Sequence, residues 1–68
     1  MKLSARNQLP GTVQQVNRGA AIANVVVDVG GQRIVSSITV EAADELGLTE
    51  GSAVTVIVKA SDVILATE

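Results

Sequence analysis

The stretch "QRIVSSITVEAADELGL", residues 32–48, changes its period halfway along, and the fold turns on that change. Residues 32–39 carry the β-branched, alternating pattern of a strand. From Thr39 onward the apolar positions Val40, Ala43 and Leu46 recur at helical spacing. Thr39 has the side chain of an N-cap, Glu41 sits in the first turn where the helix dipole favours an acid, and Gly47 can stop the helix. The expectation is a strand over 32–39 and then one short helix whose inward stripe is Val40, Ala43 and Leu46.

Working outward, both flanks read as strands. Gly30-Gly31 is a tight hairpin turn, because glycine reaches positive φ without steric cost. It joins the third strand to a second at residues 21–29, with Val25, Val27 and Val29 on one face and Asn24, Val26 and Asp28 on the other. Asn17-Arg18-Gly19 reads as a turn, preceded by a first strand over residues 2–16 that is bent or interrupted at Pro10-Gly11. Proline cannot donate to a ladder, so that break belongs at an edge or a bulge. After the helix, a turn at 49–51 leads into a fourth strand over 52–59. A tight turn at Lys59-Ala60-Ser61 precedes a fifth over 62–67. Three strands, a short helix and two strands is the element order of an OB-fold, so the expected class is all-β, a five-stranded OB-like barrel forming one domain over residues 1–68.

Composition limits what such a domain can do. A chain of 68 residues buries only about 60% of the surface its unfolded form exposes, and it needs a further source of stability. With no Cys and no His, disulfides and thiolate or imidazole metal sites are excluded. Association with other copies is the remaining route. It suits a sequence that is 47% hydrophobic yet has no aromatic residue to fill a core. The lack of His and Cys also removes the commonest general base and the best nucleophile, so an enzyme is not expected. Asp44, Glu45 and Glu50 read as solvated surface acids around the helix and the following turn. Gly30-Gly31 lacks the helix and lysine that a phosphate-binding loop requires.

Nucleic acid is a common ligand of this fold, but single-strand binding relies on aromatic platforms and a basic groove. Neither is present in a chain of net charge −2 without Phe, Tyr or Trp. No basic start precedes an apolar leader and no apolar run is long enough to span a bilayer. The expectation is a cytoplasmic protein with neither nucleic acid nor membrane as partner, and absence of cysteine fits a reducing compartment.

Groups suited to an anion lie in three places. In "KLSARNQLPG" (2–11), Ser4 and Arg6 share one face of the first strand. Lys59 ends a mainly apolar strand, and Ala60 and Ser61 follow it in a turn. Thr39 opens the helix. Each alone has a simpler account, a solvated charge or an ordinary cap, and spacing does not show that they converge.

"MKLSARNQLPGTV", the "SSIT" strand running into a helix, and "VIVKASDVILAT" together resemble the molbindin (Mop) family of small molybdate-binding proteins. The same module occurs as the TOBE-type domain of larger regulators and transporter ATPases. The similarity covers essentially the whole chain, with "SARNQ" and "KAS" in their expected places. The resemblance implies subunits that swap strands into dimers, and three dimers joined as a homohexamer. It implies molybdate or tungstate held between subunits, with no organic cofactor and no side chain coordinating the metal directly. The oxyanion-binding positions it implies are Ser4, Ala5, Arg6 and Asn7, then Lys59, Ala60 and Ser61, with Thr39 from a neighbouring subunit. Where relatives can carry a serine this chain has Ala42, which could act only through its backbone amide. A second site near threefold axes would use backbone around Gly19, Ala20 and Ala21. The implied function is reversible intracellular storage of the oxyanion. The competing readings are a structural or regulatory oligomer with incidental anion pockets and a nucleic-acid OB module.

Overall fold

The computed structural model describes residues 1–68. Its strands are β1 (Asn7–Arg18), β2 (Ile22–Val29), β3 (Gln32–Thr39) and β4 (Ala53–Val58), with helix α1 (Val40–Glu45) between β3 and β4. All pairings are antiparallel, in the order β3-β2-β1-β4. Gly30 and Gly31, at φ of +57° and +87°, make the hairpin that sets Val26 opposite Val35 and Val27 opposite Ile34.

The length of β1 allows it to serve two partners. Its first half pairs with β4, from Asn7 opposite Val58 to Thr12 opposite Ala53. Its second half pairs with β2, from Thr12 opposite Asp28 to Arg18 opposite Ala23, with a bulge between Val13 and Gln15. The strand is therefore continuous through Pro10-Gly11, and the expected interruption is a bulge further along. Pro10 is tolerated because it lies before the β2 pairing begins and faces only Thr55 of β4. The expected start at Lys2 moves to Asn7, and Asn17 and Arg18 belong to the strand, the turn being confined to residues 19–21.

Val13, Val25, Val27 and Leu48 form the core, with Val16, Val29, Ile38, Val54 and Val56 packed around them. Leu46, expected in the inward stripe, is 69% exposed, and Leu48 takes its place. The helix C-terminus explains the exchange. Gly47 adopts φ +62°, its N–H donates to the Asp44 carbonyl, and the Leu48 N–H donates to the Ala43 carbonyl. That is a Schellman closure, and it turns the second residue after the cap, not the cap residue Leu46, back over the sheet. Ala43 is fully buried as expected, and Val40 is half-buried.

The fifth strand is absent from the subunit. Ala60–Asp62 form a single 3-10 turn, and residues 63–68 pair with no strand of the same chain. Ile64 and Leu65 are 92% and 86% exposed. The sheet consequently stays open, and an apolar cleft of about 190 Å³ leads to the core between Ile38, Leu46, Leu48, Val54 and Val56. Residues 62–67 have strand propensity by local pattern, whereas a strand forms only where the segment pairs with an edge, and this segment pairs with neither edge of its own sheet.

The crossing of β1 between its partners depends on Gly11. A Cβ there would lie 2.7 Å from Val27 Cγ1 and 2.8 Å from the Asp28 carbonyl oxygen. Gly11→Ala is expected to destabilise the protein by about 1–3 kcal/mol through overpacking, read as a lower denaturation midpoint. An unchanged midpoint would show that β1 and β2 can separate at this point without cost.

Candidate functional site

The register of β1 against β4 brings the two ends of the chain together. Asn7 pairs with Val58, so in an antiparallel ladder the preceding Arg6 and the following Lys59 are neighbours. Two side-chain amides fasten this corner: Asn7 Nδ2 donates to the Val58 carbonyl at 3.1 Å, and Gln8 Nε2 to the Ala5 carbonyl at 3.1 Å. In the 3-10 turn the Asp62 N–H donates to the Lys59 carbonyl at 2.9 Å and the Val63 N–H to the Ala60 carbonyl at 3.3 Å. The N–H groups of Ser4, Ala5, Arg6, Lys59, Ala60 and Ser61 donate to no acceptor in the chain. Neither Arg6 nor Lys59 has a carboxylate partner, the one ion pair of the subunit lying elsewhere. Ala5 and Asn7 are half-buried, and the other candidate residues here are exposed. The corner thus gathers two cations, the Ser4 and Ser61 hydroxyls and six free amide donors. Asp62 is the acid of the adjoining turn.

Thr39 lies elsewhere. It pairs with Ile22, next to the end of β1 rather than its start, so roughly 35 Å of strand path separates the two corners. Thr39 caps α1: its Oγ1 accepts from the Ala42 N–H at 3.0 Å. The Ala42 amide is therefore already engaged, while the Thr39 hydroxyl keeps its own hydrogen for a second partner. The Val40 N–H donates to the Ala21 carbonyl at 2.8 Å and the Gly19 N–H to the Ile22 carbonyl at 2.8 Å, which ties loop 19–21 to the helix start. Thr39, Ala20 and Ala21 share a shallow hollow with Glu41, Asp44 and Glu45. Of these acids Asp44 pairs with Arg18 Nη1 at 2.6 Å, an exposed bridge of small energetic weight.

One subunit therefore assembles positions 4–7 with 59–61, and separately 39–42 with 19–21, and does not bring the two groups together. The roles of Asn7 and Gln8 side chains and the Arg18–Asp44 pair were not evident from sequence. Two amides beside a lone arginine were the available signal for the first. For the second, assigning Arg18 to a turn concealed that a strand end would hold it against the helix. No three metal-ligating side chains converge anywhere in the subunit. No helix is long and apolar enough to cross a membrane.

Comparison with known proteins gives concordant matches. The pattern of the TOBE domain family matches residues 3–65. Molybdenum-pterin-binding protein 2 of Clostridium pasteurianum is 42% identical over 66 residues, covering 96% of this chain and 97% of that protein. A molybdate-binding protein from Sporomusa ovata superposes with a TM-score of 0.94 at 36% identity, over 98% of this chain and 100% of the other. ModG, a cytoplasmic molybdate-binding protein solved with molybdate bound, gives a TM-score of 0.90 at 46% identity, over 94% of this chain and 46% of its own.

The cap makes a prediction of its own. Thr39→Ala leaves the Ala42 N–H without its acceptor and should lower stability by about 1 kcal/mol, whereas Thr39→Asp, which also caps, should not. Denaturation curves of the two variants check this, and equal losses would show that the side-chain bond does not hold the helix start.

Proposed function

The chain belongs to the TOBE domain family, and on that premise we propose that it binds molybdate reversibly, between subunits, as a store of the oxyanion. The observation that carries the reading is the corner at which Arg6 and Lys59 meet among amides and hydroxyls with no acceptor of their own. Molybdate is a dianion with four acceptor oxygens. Two cations neutralise it, and each directional N–H or O–H adds a modest, releasable bond. Ala5 and Ala60 keep the approach to the backbone open. Tungstate has nearly the same size and charge, so the same donors serve it. No chemistry at the metal is required, and the protein acts as a binder rather than an enzyme, without an organic cofactor.

Interface location has two supports. Thr39, the position assigned to a neighbouring subunit, is too far along β1 to join Arg6 of its own chain. The subunit is also incomplete by its own burial, with 7 of 68 residues buried. Val63 is extended, residues 63–65 are apolar and exposed, and the open cleft beside β4 is apolar. Laying that segment of one copy into the cleft of another supplies the fifth strand and makes a dimer. Three such dimers form the homohexamer, with loop 19–21 near its threefold axes as a second site. A cytoplasmic location accords with that of ModG.

Light scattering should give a mass of about six subunits, and Ile64→Glu with Leu65→Glu should reduce it. A well-folded monomer at micromolar concentration would sink the shared-site reading.

Ligand selectivity is tested by titration and by melting in molybdate, tungstate, sulfate and phosphate at matched ionic strength. Molybdate and tungstate should bind alike and well above sulfate, with phosphate weakest because its O–H needs an acceptor that this corner hardly offers. Arg6→Ala and Lys59→Ala should each weaken molybdate binding by about 1.5–3 kcal/mol, and Arg33→Ala hardly at all. Equal stabilisation by sulfate, or equal losses in all three variants, would reduce the corner to a general charge effect.

A further inference from the structure

Asn7 differs from its neighbours in the corner because its side chain is already committed. Its Nδ2 donates to the Val58 carbonyl at 3.1 Å in a half-buried setting, across a separation of 51 residues in sequence. The carbonyl belongs to the peptide group that continues into Lys59. A peptide group is planar, so holding the Val58 oxygen also fixes the direction of the Lys59 N–H and the point from which the Lys59 chain departs. Asn7 is itself bonded to Arg6. One side-chain hydrogen bond therefore reinforces the last ladder pair that β1 and β4 make, at the point where the two cation-bearing segments leave the sheet.

Past that pair nothing else holds these segments to each other. Arg6 and Lys59 have no ion-pair partner, and none of the six free amides bonds across the gap. Gln8 Nε2 stabilises only its own segment, three residues back at Ala5. The 3-10 turn of Ala60–Asp62 hangs from β4 by its chain alone, so its placement follows from how the Val58 peptide is held.

We propose that Asn7 is a positioning residue of the anion site, its side-chain amide fixing the separation and orientation of the Arg6 and Lys59 segments before any ligand arrives. The inference rests on the molybdate-binding reading and adds to it a side-chain role distinct from donation to the ligand. A binding site whose donors are fixed in advance favours the ion whose size matches them, whereas a loosened one accommodates smaller ions as well.

The test uses the full chain with Asn7→Ala, and Asn7→Leu as a variant that keeps the branched shape and loses the donor. Asn24→Ala, on the far face of β2, is the control. In the unliganded protein, 15N relaxation should show lower order parameters at residues 59–61 in both Asn7 variants and no change in the control. Titration with sodium molybdate should show an affinity loss of about tenfold, the lower end of what removing a supporting hydrogen bond costs a metal site. The preference for molybdate over sulfate should narrow with it. Unchanged order parameters overturn the proposal, as does an affinity within twofold of the unsubstituted protein. A lower melting point with the anion preference intact also overturns it, since a purely structural role produces that pattern. If the unsubstituted protein fails to bind molybdate, the functional reading falls and this one with it. If it binds and the Asn7 variants bind equally well, only this inference falls.

Discussion

The change of partner along β1 is the constraint on which the rest of the subunit depends. At Thr12 the strand is opposite both Ala53 of β4 and Asp28 of β2, and from there it pairs with β4 in one direction and β2 in the other. Gly11 is what makes the crossing possible, since any side chain there would strike Val27 and the Asp28 backbone. The first consequence is that the start of β1 meets the end of β4, which places Arg6 beside Lys59. The second is that the end of β1 lies with the start of β2 and the end of β3, which places Thr39 at the far corner. Convergence of one set of candidate residues and separation of the other are thus two results of a single register.

Burial sets the other condition. Valine and alanine dominate the core, and the four residues at its centre are Val13, Val25, Val27 and Leu48. Such small side chains remove little apolar area each, while Leu46, Ile64 and Leu65 remain largely in water. A subunit with these proportions gains by covering its open cleft. Overall charge has little bearing on this. At −2 it is a sum over distant groups, whereas an anion in a partly desolvated corner responds to charges within a few ångströms.

Features governed by neighbours in sequence were legible before the structure. The Gly30-Gly31 hairpin, the Thr39 cap and the Gly47 stop each follow from local backbone chemistry, and all three are present. Leu46 was misplaced because a periodic stripe does not reveal how a Schellman closure redirects the chain by two residues. The fifth strand differs for a deeper reason: residues 62–67 have strand propensity, but a strand also needs a partner edge, and within the subunit residues 63–68 pair with neither edge of the open sheet. Of the candidate site, the residue types could be read and, through the motifs "SARNQ" and "KAS", their family. The adjacency of Arg6 and Lys59 could not, because it is fixed by the β1–β4 register rather than by any spacing along the chain.

The two corners carry opposite charge, and this bears on the proposal that the site is shared between subunits. One presents Arg6 and Lys59 without partners, while the other presents Glu41 and Glu45 beside Thr39, with Asp44 neutralised by Arg18. Within a single subunit the Thr39 hollow would repel a dianion, so its hydroxyl is of use to an oxyanion only when cations are brought to it. If the site is shared as proposed, docking the basic corner of one chain against the acidic hollow of another would do that, and the attraction would also favour this orientation over like-to-like contact. In such a contact the acids would serve as partners for the incoming cations without the ligand, and would compete with it when it is present. Competition of that kind would weaken binding without destroying the site, which fits the proposed role of a store that must release what it holds.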